Sequence, residues 1–331
     1  MQVAEGIFQI QLPLPFPLRI VNCYALRDGD GWTIVDTGIH YPPGEAAWRA
    51  ALAEWEIDPA AIRRIVLTHA HPDHYGMAGW LQALSGAPVL LAPDELAFAR
   101  RVWQAGEHNE QHVMAYFQSH GMPADMADQV RLSLEETRLM TAPWPVDLVE
   151  LGPEACLEIG GRQFQTIAAP GHSDQHLVFY CAAERLLLCG DAVLTKITPN
   201  VSRWPDGRPD PLADFLRSLE VMAALDVAVA LPGHGPLIRD FAGRLAELRA
   251  HHEERLDLME QAAGGGATAF EVCAAVFPTA VLSPHQLRFA LAETVAHLEY
   301  LAGVGRVERV ERPGPAYRST ADEVKGDKVA G

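Results

Sequence analysis

Four side chains able to bind a metal fall within six residues of the stretch Thr68-His69-Ala70-His71-Pro72-Asp73-His74. Three imidazoles and a carboxylate set this close cannot be ordinary core, because each buried polar group needs a partner. The fold must bring them to one point and supply what they bind. Only 14 of 331 residues are His, so chance produces H-x-H-x-D-H on the order of once in a thousand such chains. The motif follows the apolar run Ile65-Val66-Leu67-Thr68 and precedes the helix-forming stretch from Gly76 to Leu84, which puts it at a strand end. Extended backbone there points His69 and His71 to the same side. Imidazole and carboxylate are the usual nitrogen and oxygen ligands of zinc and its neighbours.

Further ligands must come from later strand ends, and three candidates close apolar runs: His172 in Ala-Pro-Gly-His-Ser, Asp191 in Leu-Cys-Gly-Asp-Ala and His234 in Leu-Pro-Gly-His-Gly. The preceding glycine lets the backbone turn sharply at each. Any one of them alone reads more simply as a loop or cap residue. Together with the first motif they read as a site for one metal ion or two.

The remaining pattern is that of a mixed α/β chain. Residues 6–36 alternate as a β-meander with turns at Asp28-Gly29 and Asp30-Gly31, a helix follows at 43–56, and 63–68 returns to strand. The stretch 93–141 reads as three helices, a helical insertion. Strands are expected at 163–169, 176–182 and 185–190, a helix at 211–224, and a long helix at 238–263 ending at Gly264-Gly265-Gly266. Beyond it, two capping boxes, Thr268 with Glu271 and Ser283 with Gln286, start two helices ahead of a hairpin. This order suggests a winged-helix-like module. The expected domains are 1–245, a linker helix with the module at 246–320, and a disordered tail at 321–331.

In the order H-x-H-x-D-H, His, Asp, His, with 98, 19 and 43 residues between successive elements from His74, residues 5–240 resemble the metallo-β-lactamase-fold hydrolase superfamily. That resemblance implies an α+β chain built as an αββα sandwich, with a dinuclear site at one edge of its sheets. It implies that His69, His71 and His172 hold one divalent ion, that Asp73, His74 and His234 hold the other, and that Asp191 bridges them. Asp36, in Val-Asp-Thr-Gly, matches the superfamily's early aspartate, which supports the metal loop from behind. Zinc is the expected metal, with iron or manganese as alternatives. A lone Asp-Thr-Gly also occurs in aspartic proteases, but one copy in a chain of this length does not make that site.

Seven ligands for two ions leave coordination positions open, the mark of a catalytic site. Water shared by two such ions loses a proton near neutral pH, so the expected reaction is hydrolysis by a metal-bridging hydroxide, with Asp73 and Asp191 as the catalytic carboxylates. Asp191 argues against β-lactamase activity, since zinc β-lactamases do not carry the bridging aspartate. What remains looks like the glyoxalase II, lactonase and thioesterase side of the superfamily, with endoribonuclease or phosphodiesterase activity as the alternative. The net charge of −17 opposes phosphate backbones and anionic lipid, and residues 267–320 balance five Arg against five Glu, where a nucleic-acid reader should be basic. The expected partner is therefore a small-molecule substrate, with neither nucleic acid nor membrane. The C-terminal module reads as a packing or homodimerisation element. No stretch reads as a leader or membrane helix, and five cysteines without a CxxC read as free thiols of a cytoplasmic protein. Asn200, Arg203 and Trp204, which follow Asp191, are candidate substrate-pocket residues. His108 and His112 read as surface histidines, and Phe98, Val102, Trp103, Met114 and Phe117 as either a lid or core packing.

Overall fold

The computed structural model describes residues 1–312 and 314–322. The meander forms as its alternation predicts. Strands β1 (Gln2–Ala4), β2 (Ile7–Pro13), β3 (Ile20–Asp28) and β4 (Gly31–Val35) pair antiparallel in sequence order. Helix α1 (Pro42–Glu54) then crosses over, so that β5 (Ile62–Val66) lies parallel to β4, with Ile34 opposite Ile65. Helices α2 (Pro72–Tyr75) and α3 (Ala78–Ser85) lead to β6 (Val89–Leu91), and after α4 (Pro93–Ala99), α5 (Glu107–Ser119) and α6 (Ala124–Leu139) the edge strand β7 (Leu148–Glu150) completes seven strands. That last strand is three half-exposed residues long, too short for a period-two signal.

The second sheet repeats the plan with five strands. β8 (Cys156–Ile159), β9 (Arg162–Ala168), β10 (Leu177–Cys181) and β11 (Leu186–Gly190) run antiparallel, and after α7 (Pro211–Ala223) strand β12 (Val229–Pro232) lies parallel to β11. Side-chain alternation divides the first sheet between two cores. Cys23, Ala25 and Ile34 join Trp48 of α1 and Leu81 of α3, while Tyr24, Leu26 and Val35 join Phe164, Phe179, Leu188 and Leu231 of the second sheet. Val178, Leu187 and Ala230, on the second sheet's other face, are buried as well. Sheet on sheet with both faces covered is the expected sandwich.

The chain forms two compact units. The first comprises Met1–Ala105, Thr137–Pro199 and Ser218–Leu245, and it contains both sheets of the sandwich. The second comprises Gly106–Glu136, Asn200–Arg217 and the described residues from Ala246 to Asp322. Its elements are α5, most of α6, the greater part of α8 (Phe241–Ala263), β13 (Ala267–Thr268), α9 (Ala269–Val276), α10 (Pro284–Gly303), β14 (Val307–Arg312) and β15 (Gly314–Ser319). Both capping boxes close, and the strands form a sheet in the order β13-β15-β14.

The stretch expected as one helical insertion is therefore divided. Pro93–Ala105 stays with the sandwich, whereas Gly106–Glu136 packs in the second unit, where the His120 carbonyl accepts from the Phe270 N–H at 3.0 Å. Gly121, at φ +96, approaches so closely that a Cβ there would lie 2.7 Å from Thr268 Oγ1. From Glu323 onward the tail expected to be disordered lies outside the described residues.

Candidate metal centre

The two parallel strand pairs deliver the site. Asp36 follows β4, the segment His69–His74 follows β5, Asp191 follows β11 and His234 follows β12, so four C-terminal strand ends open on one edge. The loop after β9 adds His172. Three donor groups result, each with its ligand atoms within 4.8 Å of one another: His69 with His71 and His172, His69 with His74 and Asp191, and Asp73 with His74 and His234. Asp191 lies between the flanking sets, Oδ2 standing 3.3 Å from His234 Nε2 and 3.7 Å from His172 Nε2, and Oδ1 standing 3.4 Å from His74 Nε2. Such close approach needs glycine beside it. A Cβ on Gly233 would fall 2.2 Å from Asp191 Oδ1, and one on Gly190 would fall 2.8 Å from His176 Nε2.

Hydrogen bonds behind the cluster set which ring nitrogens face inward. His74 Nδ1 bonds Asp36 Oδ2 at 2.8 Å, and His234 Nδ1 bonds the carbonyl of Ile20 at 2.7 Å. Asp36 and the carbonyl only accept, so each ring donates from Nδ1 and turns Nε2 inward, the nitrogen a metal would take. Thr68 Oγ1 donates to Asp36 and stands 2.9 Å from His69 Nδ1, which gives His69 the same orientation. Nε2 of His69, His74 and His234 and Oδ1 of Asp191 are then buried without a hydrogen-bond partner. Buried nitrogen and carboxylate atoms that converge without hydrogen-bond partners form a cradle for cations. The donor set, imidazole and carboxylate, fits borderline divalent ions such as zinc.

The electrostatics agree with that chemistry. Burial and then the neighbouring rings His74 and His71 hold His69 well below the ordinary histidine range, and burial with His172 takes His71 down to about 3. Burial also acts against protonated His234, but the Asp191 and Asp73 carboxylates outweigh it and push the ring up to about 10, so the same carboxylates that hold a proton there would hold the cation that displaces it. Burial works to raise Asp191 too, and His234 and His74 reverse that, keeping it ionised.

Three supports escaped the sequence reading. Glu95, 1% exposed, accepts from the Ala70 N–H at 2.8 Å and from the Gln175 N–H at 2.8 Å, tying the loop of His69 and His71 to that of His172. His176 stacks on His69 with centroids 4.8 Å apart, and its Nε2 accepts from the Asp191 N–H. Trp103 sits in a π-helical turn over Arg100–Gln104 and donates from its indole to the Ala70 carbonyl at 2.8 Å. His176 had a signal, lying four residues after His172 at the start of an apolar run. Glu95 had none, since an acid in the first turn of a helix reads as a dipole partner.

Residues 16–234 match the family described as Metallo-beta-lactamase superfamily, and 256–319 match the one described as Metallo-beta-lactamase-like, C-terminal domain. The chain belongs to the metallo-beta-lactamase superfamily. It is 25% identical over 312 residues to "Probable metallo-hydrolase YqjP" of Bacillus subtilis, covering 90% of this chain and 92% of that protein. Among solved structures it is similar to the metallo-beta-lactamase family protein TTHA1429 of Thermus thermophilus, with a TM-score of 0.87, 36% identity, and coverage of 96% of this chain and 100% of that one. A beta-lactamase domain protein from Burkholderia ambifaria follows the same fold at TM-score 0.84 and 29% identity, over 97% of this chain and 93% of that one. These relatives support a metallo-hydrolase, and the superfamily typically binds metal ions.

The other residues singled out in the sequence have separate surroundings. In the metallo-beta-lactamase unit Phe98 sits edge-on to His71 at 6.3 Å, and Val102 packs partly buried against the core that includes Trp103. Met114 and Phe117 are buried within the second unit. His112 meets Asp206 at 2.9 Å on a half-exposed surface, and neither His108 nor His112 joins a metal-capable group among the described residues. Asn200, Arg203 and Trp204 belong to the second unit, where Asn200 donates to Glu293, Arg203 donates to the Pro209 carbonyl and Trp204 packs on Phe117 and Phe289. All five cysteines are free, and four of them are buried. Among the described residues no helix is long and apolar enough to cross a membrane.

Proposed function

We propose that this chain hydrolyses a small carbonyl ester, thioester or lactone with the aid of two divalent ions, zinc foremost. The observation that carries the reading is the pair of three-donor sets with Asp191 between them. His69, His71 and His172 would hold one ion and Asp73, His74 and His234 the other, with Asp191 facing both. When bound by these residues, such ions would supply an activated water and an electrophile for the oxygen of the substrate bond. The chain's own groups do the rest. His74 and His234, fixed through Nδ1 by Asp36 and Ile20, keep their lone pairs aimed without reorganisation. Asp73, whose Oδ2 stands 3.2 Å from His234 Nε2 at the mouth of the donor sets, would supply the carboxylate that takes a proton from attacking water and returns it to the leaving group. Phe98 beside His71 supplies an apolar wall suited to an acyl chain rather than to a phosphodiester. The acidic net charge favours the same choice. Asn200, Arg203 and Trp204 are retained as candidate substrate contacts, and the helix, helix, hairpin order of the second unit supports a winged-helix-like reading of that module.

The test is a panel of acyl thioesters, esters and lactones assayed with the purified chain before and after chelation and after zinc is restored. The reading expects hydrolysis that vanishes with chelator, returns with zinc and is absent from Asp191→Ala. Cleavage of RNA with that same dependence, and of none of the acyl compounds, overturns the substrate class.

A further inference from the structure

Helix α10 buries a cation and supplies it with no counter-ion. Arg288 is 2% exposed, and among the described residues the only hydrogen bond of its guanidinium runs from Nη2 to His285 Nδ1 at 3.1 Å. Nε is buried with no hydrogen-bond partner among the described residues, and the group lies over the ring of Phe289, 4.8 Å from its centroid. A charge taken out of water without an opposing charge is among the costliest arrangements in a protein. Three other arginines of the same unit do meet acids. Arg208 meets Asp214, Arg306 meets Asp257 and Glu260, and Arg309 meets Glu299. Burial is the one influence acting on the Arg288 ionisation; it draws the group down to about 10, still a cation at neutral pH.

His285 stands one turn earlier. It accepts from Arg288 at Nδ1 and so holds the guanidinium in place. Both residues occupy the first two turns of a twenty-residue helix, whose amino end adds partial positive charge. We propose that Arg288, held by His285, forms a binding site for a carboxylate anion whose hydrocarbon part lies against Phe289. The planar guanidinium fork matches a carboxylate in two parallel hydrogen bonds. One arginine balances a single negative charge, which suits a carboxylate better than a phosphate dianion. Phe289, which itself packs edge-on to Trp204 at 5.9 Å, offers the apolar contact. The site is independent of the metal-hydrolase reading.

Fluorobenzoate titrated into the full metal-loaded chain and followed by fluorine NMR tests it, with fluorobenzyl alcohol as the neutral control and inorganic phosphate as competitor. Saturable binding of fluorobenzoate alone is expected, weakened at least about tenfold in Arg288→Met and unchanged in Asp191→Ala. Arg288→Met should melt no lower than the parent chain, since removing an unpaired buried charge relieves a cost. Should that variant fail to fold, Arg288→Lys carries the test, because it keeps the charge, loses the fork and should weaken binding severalfold. The proposal is overturned by equal affinity in the Arg288 variants, by no saturation up to about 10 mM, by binding that disappears in Asp191→Ala and so belongs to the metals, or by phosphate binding more tightly than fluorobenzoate.

Discussion

Both units bury histidines, and only in the first do carboxylates reverse what burial does to some of the rings. In the first, Asp73 and Asp191 stand among the rings, and His234 is pushed up to about 10. In the second, His252 and His297 stack with centroids 5.2 Å apart and share one hydrogen bond of 3.1 Å from Nδ1 to Nε2. No carboxylate shifts either ring there, and burial draws them down to about 2 and about 4. Burial alone makes an imidazole a neutral packing element. Burial beside carboxylates makes a site that holds positive charge, as protons or as metal ions.

The largest test of this contrast removes the carboxylate that faces both donor sets. Asp191→Asn should lower metal content sharply and cut hydrolysis by about a hundred- to ten-thousandfold, read by elemental analysis and steady-state kinetics on one preparation. The second unit supplies the converse. Below the ordinary histidine pKa of about 6.5 and down to about 4, the unfolded chain binds two protons that the native His252 and His297 refuse, so stability rises with pH across that window and falls as pH drops. The pair should cost up to about 2.7 kcal/mol per pH unit there. Denaturant unfolding at several pH values checks this through the difference in slope between the parent chain and a variant carrying His252→Phe with His297→Leu. Equal slopes would show that the pair stays protonated in the fold.

Smaller effects sharpen the picture of the metal loops. Glu95→Gln replaces one acceptor of the Ala70 and Gln175 N–H groups by an amide donor and should weaken metal binding by about ten- to a hundredfold, measured by competition with a chelating dye. Thermal stability should change little by comparison. Arg203→Ala should raise KM a few-fold at constant kcat, and unchanged kinetic constants would remove Arg203 from the substrate pocket.

The site was more legible in the sequence than its setting. A motif with three imidazoles in six residues announces itself because nothing in ordinary packing asks for it. The glycine before Asp191 and the one before His234 also carried their meaning, since the Cβ positions at Gly190 and Gly233 are occupied by neighbours. Glu95 stayed hidden because its role depends on two backbone N–H groups brought together by tertiary structure. The division of the helical insertion stayed hidden for a related reason. Gly121 and Phe270 meet across about 150 residues of chain, and helical periodicity in 107–119 records that a face is buried without recording against what.

The most direct test of the central claim is the count of metal ions per chain, taken alongside acyl-ester hydrolysis as the ions are withdrawn and returned. Two ions per chain, with activity lost and regained in step, is the outcome this account expects. A chain that hydrolyses its substrate at full rate with no more than trace metal would contradict it.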